Sequence, residues 1–278
     1  MDYEYYNGKL LSLLDEYLNY GERTIDGAQI ESLMLLGLSR EQAYRRLLAA
    51  HTGTRDEVLL GEYFPRIVKE LDAKTYRDDK YYKNIRFENK SLGNWTMGRG
   101  EYAPYELFVF DDFLFDGEKL LPQVGFMSES FSFPAVYENG RMWMSVTPNE
   151  INTMKEPVSR ARGKALTFGL GLGYFAYMCS EKSEVESITV IERDRSVISL
   201  FENLVLPQFA RADKVRIKNA DAYDFLSRMK DGEYDTAFVD IYHDAGDGME
   251  VYERFKEREF SLTRFDFWIE KTIKYYLG

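Results

Sequence analysis

Acidic residues and a glycine-rich turn follow four predicted strands in the second half of this 278-residue chain. In chain order they are Gly169-Leu170-Gly171-Leu172-Gly173, Glu192, Asp221-Ala222 and Asp240. The predicted strands alternate with helical segments, which is typical of βαβ units and a parallel sheet. Ligands bind beyond the carboxyl ends of the strands in such sheets. The spacing therefore predicts one binding site to which all four segments contribute.

The residue types at this edge indicate an adenosine-containing ligand. Bare glycine backbone lets a ligand approach closely, and the helix that begins at Tyr174 points free N–H groups toward the same place. Glu192 follows the turn by about 20 residues, where an acid accepts from both ribose hydroxyls. Asp221 can accept from an adenine amino group and suits a ligand without a second nucleotide. Residues 171–176 also fit the dinucleotide fingerprint, so a dinucleotide stays open.

The candidate chemical centre is Asp240-Ile241-Tyr242-His243-Asp244, directly after the fourth predicted strand. Asp240 can deprotonate or orient an amine, and His243 can act as a base near neutral pH. We take Asp240 and His243 as the candidate catalytic residues. In the alternative, Asp240 only holds the cofactor, and His243 and Asp244 cap the next helix.

The ordered set resembles the class I S-adenosylmethionine-dependent methyltransferase superfamily, and within it the spermidine-synthase-like branch. The resemblance extends upstream to a hairpin at Asn139-Gly140 and a helix from 147 to about 157. It implies S-adenosylmethionine as the cofactor. The cofactor-binding residues that it implies are Gly169, Leu170, Gly171, Gly173, Glu192, Asp221, Ala222 and Asp240.

The resemblance implies a methyltransferase that acts on a small acceptor, with an amine as one option. An aminopropyltransferase is the second candidate. That group usually has an acid within the glycine loop and Asp-Ser-Ser-Asp after the fourth strand, whereas this chain has Leu172 and residues 240–244 there. A protein that binds the cofactor without catalysis is the third candidate.

The predicted fold is α/β, with a Rossmann-like, doubly wound parallel sheet in the order 3-2-1-4. The C-terminus is expected to be shortened, because the segments 248–259 and 265–277 both look helical and no strand is expected after Asp240. The sheet domain, 149–278, is preceded by a β-rich hairpin region, 83–148, and a helical N-terminal domain, 1–82.

The predicted end of the sheet also bears on association. Without a further strand, the fourth strand would have an unpaired edge, and exposed edges are usually covered or paired. The tail carries an apolar set: Phe260, Phe265, Phe267, Trp268, Ile269, Ile273 and Tyr276. A homodimer with the tail near Asp240 and His243 is therefore predicted. In the alternative, the tail folds back onto its own domain.

Composition excludes several function classes. The net charge of −11 disfavours nucleic-acid binding, which requires a basic surface. There is no stretch of eighteen apolar residues and no cationic, apolar leader, so a membrane span is not expected and a cytoplasmic location is. One cysteine and two histidines make a zinc site improbable, and no metal is predicted. The cysteine, Cys179, is expected to be buried and structural.

Overall fold

The structure is a computed structural model that describes residues 2–20, 25–117 and 119–278. The α-helices are α1 Tyr3–Tyr20, α2 Gly27–Leu35, α3 Arg40–His51, α4 Phe64–Ile67, α5 Ala73–Arg77, α6 Lys80–Asn84, α7 Pro148–Arg160, α8 Tyr174–Ser180, α9 Arg195–Leu204, α10 Ala222–Arg228, α11 Ala245–Lys256 and α12 Glu270–Leu277. The strands are β1 Val68–Glu70, β2 Lys90–Leu92, β3 Trp95–Tyr102, β4 Phe108–Asp116, β5 Lys119–Phe126, β6 Phe131–Glu138, β7 Arg141–Ser145, β8 Gly163–Phe168, β9 Val185–Glu192, β10 Val215–Asn219, β11 Thr236–Val239 and β12 Arg264–Phe267.

The chain divides into two compact units. The first consists of Met1–Tyr76 and Glu101–Ser132, and the second of Arg77–Gly100 and Phe133–Gly278. The candidate site residues all belong to the second unit. The three-part division at 82/83 and 148/149 stays a prediction.

The first unit packs its helices on a three-stranded sheet in the order β1-β5-β4. Its core contains Tyr44 of α3 stacked on Phe126 of β5, with ring centroids 3.7 Å apart. Ser39 caps α3: its hydroxyl accepts from the Gln42 backbone N–H, and the Gln42 side chain accepts from the Ser39 N–H. This reciprocal pair satisfies two backbone donors at the start of the helix.

The second unit contains a five-stranded, wholly parallel sheet in the order β10-β9-β8-β11-β12. The first four strands adopt the predicted 3-2-1-4 order, which confirms the Rossmann-like α/β fold. Strand β8 is buried on both faces from Ala165 to Phe168, as expected of a strand with helices on each side. Cys179 is buried in α8, as expected, and burial raises the pKa of its thiol to about 12.

The predicted end of the sheet is wrong. β12 pairs in parallel with β11, with Thr236 opposite Arg264 and Val239 opposite Phe267, so the fourth strand has no free edge on that side. The helix α12 is correspondingly shorter than predicted and begins at Glu270. The segment forms a strand because its side chains alternate between two faces. Phe267 lies in the core cluster of the unit, and on the other face Arg160 and Arg264 bind the carboxylate of the buried Asp266.

The upstream hairpin is confirmed. β6 and β7 are antiparallel and joined at Asn139-Gly140, where both residues have positive φ, 51° and 81°. Two such residues define the hairpin turn that Asn-Gly favours. The hairpin ends at Ser145, and α7 begins three residues later, so β7 and α7 both reach the candidate site.

Candidate functional site

The ends of the parallel strands are joined by three backbone hydrogen bonds. The Gly169 N–H donates to Ile191 O at 2.9 Å, Ala220 N–H to Glu192 O at 3.0 Å, and Asp240 N–H to Phe168 O at 3.0 Å. These bonds continue the sheet ladder one step beyond the strands. They hold the glycine turn and the three acid-bearing segments at one edge.

The glycine turn requires glycine for two different reasons. Gly169, Gly171 and Gly173 all have positive φ, at 97°, 49° and 77°, which is costly for residues with a Cβ. A Cβ on Gly169 would also collide with the Asp240 carbonyl, and one on Gly171 would collide with the Met144 side chain. The turn is therefore held tightly between β11 and β7.

The structure separates Gly173 from the rest of the turn. A Cβ there would meet the Phe201 ring of α9, so this glycine permits close packing between α8 and α9. Gly169, Leu170 and Gly171 line the main cavity, whereas Gly173 is absent from its described lining. Gly173 thus supports the turn structurally, and its predicted cofactor role stays a prediction.

Glu192 connects the end of β9 to the glycine turn. One carboxylate oxygen accepts from the Leu170 N–H at 3.3 Å and the other from the Asp194 N–H at 2.8 Å. Burial raises the pKa of Glu192, and these backbone donors oppose the rise. The side chain lines the cavity in a fixed orientation.

Asp221 has a structural role that the sequence argument did not include. Its Oδ1 accepts from the Tyr223 and Asp224 N–H groups at 2.9 and 3.1 Å and so caps α10. Oδ2 has no hydrogen-bond donor among the residues that the structure describes. Asp221 and Ala222 both line the cavity.

Asp240 and His243 both line the main cavity. Burial raises the pKa of the Asp240 carboxyl to about 7. The His243 ring makes an edge contact with Trp143 of β7, with centroids 4.1 Å apart. Asp244, and not His243, caps α11, because its carboxylate accepts from the Asp247 N–H at 3.0 Å.

Glu150 is a site residue that sequence reasoning missed. It lies in the first turn of α7, and its Oε2 is buried without a hydrogen-bond partner in the described structure. Burial and the neighbouring Asp240 raise its pKa well above the usual range. Residues 147–150 read Thr-Pro-Asn-Glu, a capping-box pattern that would assign Glu150 to the helix end. Thr147 makes no side-chain cap, however, so that assignment fails.

One cavity of about 660 Å³ is lined by Glu150, Gly169, Leu170, Gly171, Glu192, Asp221, Ala222, Asp240 and His243. Its lining is strongly acidic: among the described residues it contains one arginine, Arg193, and no lysine. The acidic lining residues are Glu138, Glu150, Glu192, Asp194, Asp221, Asp240, Asp247 and Glu250. The three tryptophans of the chain, Trp95, Trp143 and Trp268, line it as well. The arrangement suits a ligand that combines flat apolar surface with positive charge.

The structure also bears on a metal site and on a membrane-spanning helix. Within the described residues, no group of three or more His, Cys, Asp or Glu is arranged to hold a metal ion. None of the described helices combines the length and apolar character that crossing a membrane requires.

Comparison with known proteins places this chain near solved structures at low similarity. No protein-family model matches the sequence, and no curated protein matches it. Spermidine synthase from Thermotoga maritima is 15% identical with a TM-score of 0.36, over 51% of this chain and 56% of that one. Precorrin-8W decarboxylase from Methanobacterium thermoautotrophicum is 21% identical with a TM-score of 0.33, over 44% and 62%. This chain thus spans less than two thirds of the length of either protein.

Proposed function

We propose that the second unit is an S-adenosylmethionine-dependent transferase, and specifically a methyltransferase acting on a small acceptor. One observation carries this proposal. Four segments that are distant in sequence bring a glycine turn, Glu192, Asp221 and Asp240 around one cavity at the carboxyl edge of a parallel sheet. Ligands bind at that edge in open α/β sheets.

The residues present fit the parts of this ligand. The glycine turn exposes backbone to which the methionine part can approach closely. Glu192 presents fixed carboxylate oxygens for the ribose hydroxyls, and Oδ2 of Asp221 can accept from the adenine amino group. Ala222 beside it leaves room for a flat ring. The cofactor, when bound, supplies a methyl group on a positively charged sulfur.

The cavity has the size of a small-molecule site: such sites are about 300–1,000 Å³, and 660 Å³ lies in the middle of that range. The acceptor would lie beside Asp240 and His243, with Trp143 as an apolar wall. Alkyl transfer from a sulfonium depends mostly on alignment and exclusion of water, which packed aromatic walls provide.

An aminopropyltransferase is the second candidate, and the acidity of the lining favours it specifically. Eight acidic residues against Arg193 disfavour a ligand carboxylate and favour a ligand whose ammonium group has no carboxylate beside it. Decarboxylated S-adenosylmethionine has that charge pattern. The leading proposal is kept because the glycine loop itself has Leu170 and Leu172 in place of an acid.

Calorimetric titration with S-adenosylhomocysteine, decarboxylated S-adenosylmethionine and NAD tests the proposal. We expect S-adenosylhomocysteine to bind and to raise the melting temperature, and NAD to do neither, because the site provides acceptors for one nucleoside only. Tighter binding of the decarboxylated cofactor would favour aminopropyl transfer. Stabilisation by NAD alone would exclude both transferases and restore the dinucleotide interpretation.

A further inference from the structure

Two carboxyl groups from different elements meet behind the glycine turn. Glu150 is carried by α7, and Asp240 follows β11. Both line the main cavity, and both also line a second, small cavity of about 20 Å³. A cavity of that size brings the two side chains near each other, and the raised pKa of Glu150, to which Asp240 contributes, agrees with this placement.

No basic side chain is among the described residues that line the smaller cavity of the pair. Tyr174 of α8 lines the smaller cavity, and its hydroxyl donates to Asp79 at 3.1 Å. The charged or titratable groups that face the pair across the larger cavity include Glu192, Arg193 and His243. None of these groups donates a hydrogen bond to Glu150 Oε2, which is buried without a partner in the described structure.

Such an arrangement does not allow both groups to be ionised at once. A buried carboxylate oxygen without a donor is costly, and a second carboxylate beside it adds like-charge repulsion. One proton on the pair relieves the like-charge repulsion and leaves one of the two carboxyls neutral. Carboxyls coupled in this way titrate as a pair.

We propose that Glu150 and Asp240 form one acid–base pair that holds a single proton between them in the resting protein and takes up the proton that the acceptor loses. The second clause rests on the proposed transferase function. On transfer, the acceptor nitrogen or oxygen forms a bond to the methyl carbon, and the carbon–sulfur bond breaks with its electron pair going to sulfur. The acceptor proton passes to the ionised carboxyl of the pair, which later returns it to solvent.

The helix that carries Glu150 is anchored to the last strand. The Trp268 Nε1–H donates to the Thr153 hydroxyl at 2.9 Å, and Arg160 binds Asp266 at 2.8 Å. Thr153 is one turn from Glu150 on α7, so the first contact lies beside the pair. The C-terminal strand thereby fixes the position of Glu150 relative to Asp240.

Infrared titration of the protein without ligand tests the shared proton. The carbonyl stretch of a protonated carboxylic acid should be present in the wild type near neutral pH and disappear as the pH rises. We expect Glu150→Gln and Asp240→Asn each to move the midpoint of this titration to lower pH, because each removes a like charge. The band should be lost in the double variant, and Glu202→Gln on the exposed face of α9 should leave the midpoint unchanged.

Each outcome decides a separate claim. An unchanged midpoint in a folded Glu150→Gln or Asp240→Asn protein would show independent carboxyls and overturn the pair. Should one single variant fail to fold, as judged by circular dichroism, the other still measures the coupling. Titration with S-adenosylhomocysteine on the same samples separates the two proposals. Shifted midpoints without binding would contradict the transferase function alone, whereas binding with unshifted midpoints would contradict the pair alone.

Discussion

Asp221 combines a structural and a proposed binding role in one side chain. Its Oδ1 caps α10, while Oδ2 is the proposed acceptor for the adenine amino group. An aspartate after a strand and before a helix is often a cap and nothing more. The two roles therefore need variants that separate them.

We expect Asp221→Asn to keep the cap and Asp221→Ala to lose it. Asparagine and aspartate cap about equally well, so the first variant should change the free energy of unfolding by only a few tenths of a kcal/mol. Alanine should lower it by about 0.5–2 kcal/mol. Both should weaken binding of S-adenosylhomocysteine. Denaturant unfolding and calorimetry measure the two effects, and full affinity in Asp221→Ala would restrict Asp221 to capping.

Gly171 illustrates how a residue-scale test depends on its surroundings. A valine at this position would place a branched side chain where the ligand is proposed to approach the turn. In the structure the Cβ direction points at Met144, and φ is 49°. The variant would strain the turn and displace β7 whether or not a ligand binds there. Lost binding in Gly171→Val is therefore not evidence for the ligand site by itself.

At the scale of elements, the short strand β12 removes the free sheet edge from which the homodimer was predicted. It covers the edge of β11 that was predicted to be unpaired, and the two contacts that anchor α7 come from Asp266 in this strand and from Trp268 directly after it. The apolar tail residues Phe265, Phe267 and Ile273 pack within the core of the same unit. The stated reason for a homodimer is therefore gone, and the homodimer itself stays an untested prediction.

Asp266 should be essential to the docking of β12. Its carboxylate is 7% exposed and binds Arg160 and Arg264, and hydrogen bonds to charged groups contribute about 1.5–3 kcal/mol each. We expect Asp266→Ala to lower the free energy of unfolding by about that amount. Asp213→Ala is the control, because the Arg211–Asp213 pair is exposed and exposed ion pairs contribute little to stability. Equal urea midpoints for the two variants would show that β12 is held by its aromatic residues alone.

At the scale of the whole molecule, two acids affect the pH dependence of stability in opposite directions. Burial opposes ionisation of Asp231, yet hydrogen bonds from Ser261, Leu262 and Thr263 lower its pKa to about 2. Its stabilising contribution is complete above its usual value of 3.8 and is lost as the pH falls toward 2. Asp240 is raised, so its contribution is complete below 3.8 and is lost as the pH rises to about 7.

We therefore expect stability to rise on leaving strong acid and to fall again on approaching neutrality. Asp240→Asn should be more stable than the wild type above about pH 7, where the wild type has to bury a charge. Near pH 4 the two proteins should differ little, because the Asp240 carboxyl is then neutral in the folded state. Thermal unfolding at several pH values measures this. A constant difference between the two proteins across that range would contradict the raised pKa.

Local patterns in the sequence were sufficient for the alternation of the first four parallel strands with helices and for the Asn139-Gly140 hairpin. Each depends on residues that are neighbours along the chain: a buried apolar run, or a pair that tolerates positive φ. The strand order 3-2-1-4 came with the Rossmann-like fold that the chain resembles. The candidate acids after the strands could be predicted for the same reason, since parallel strands place their carboxyl ends at one edge.

The tertiary structure alone decided which distant groups meet. β12 is a strand because β11 presents a free edge beside it and because Arg160, far away in sequence, compensates the buried Asp266. Glu150 belongs to the site because α7 packs next to the glycine turn, although its local pattern is that of a helix cap. The energies involved are electrostatic and hydrogen-bonding interactions between residues about 90–110 positions apart in sequence, and local patterns have no information about such pairs.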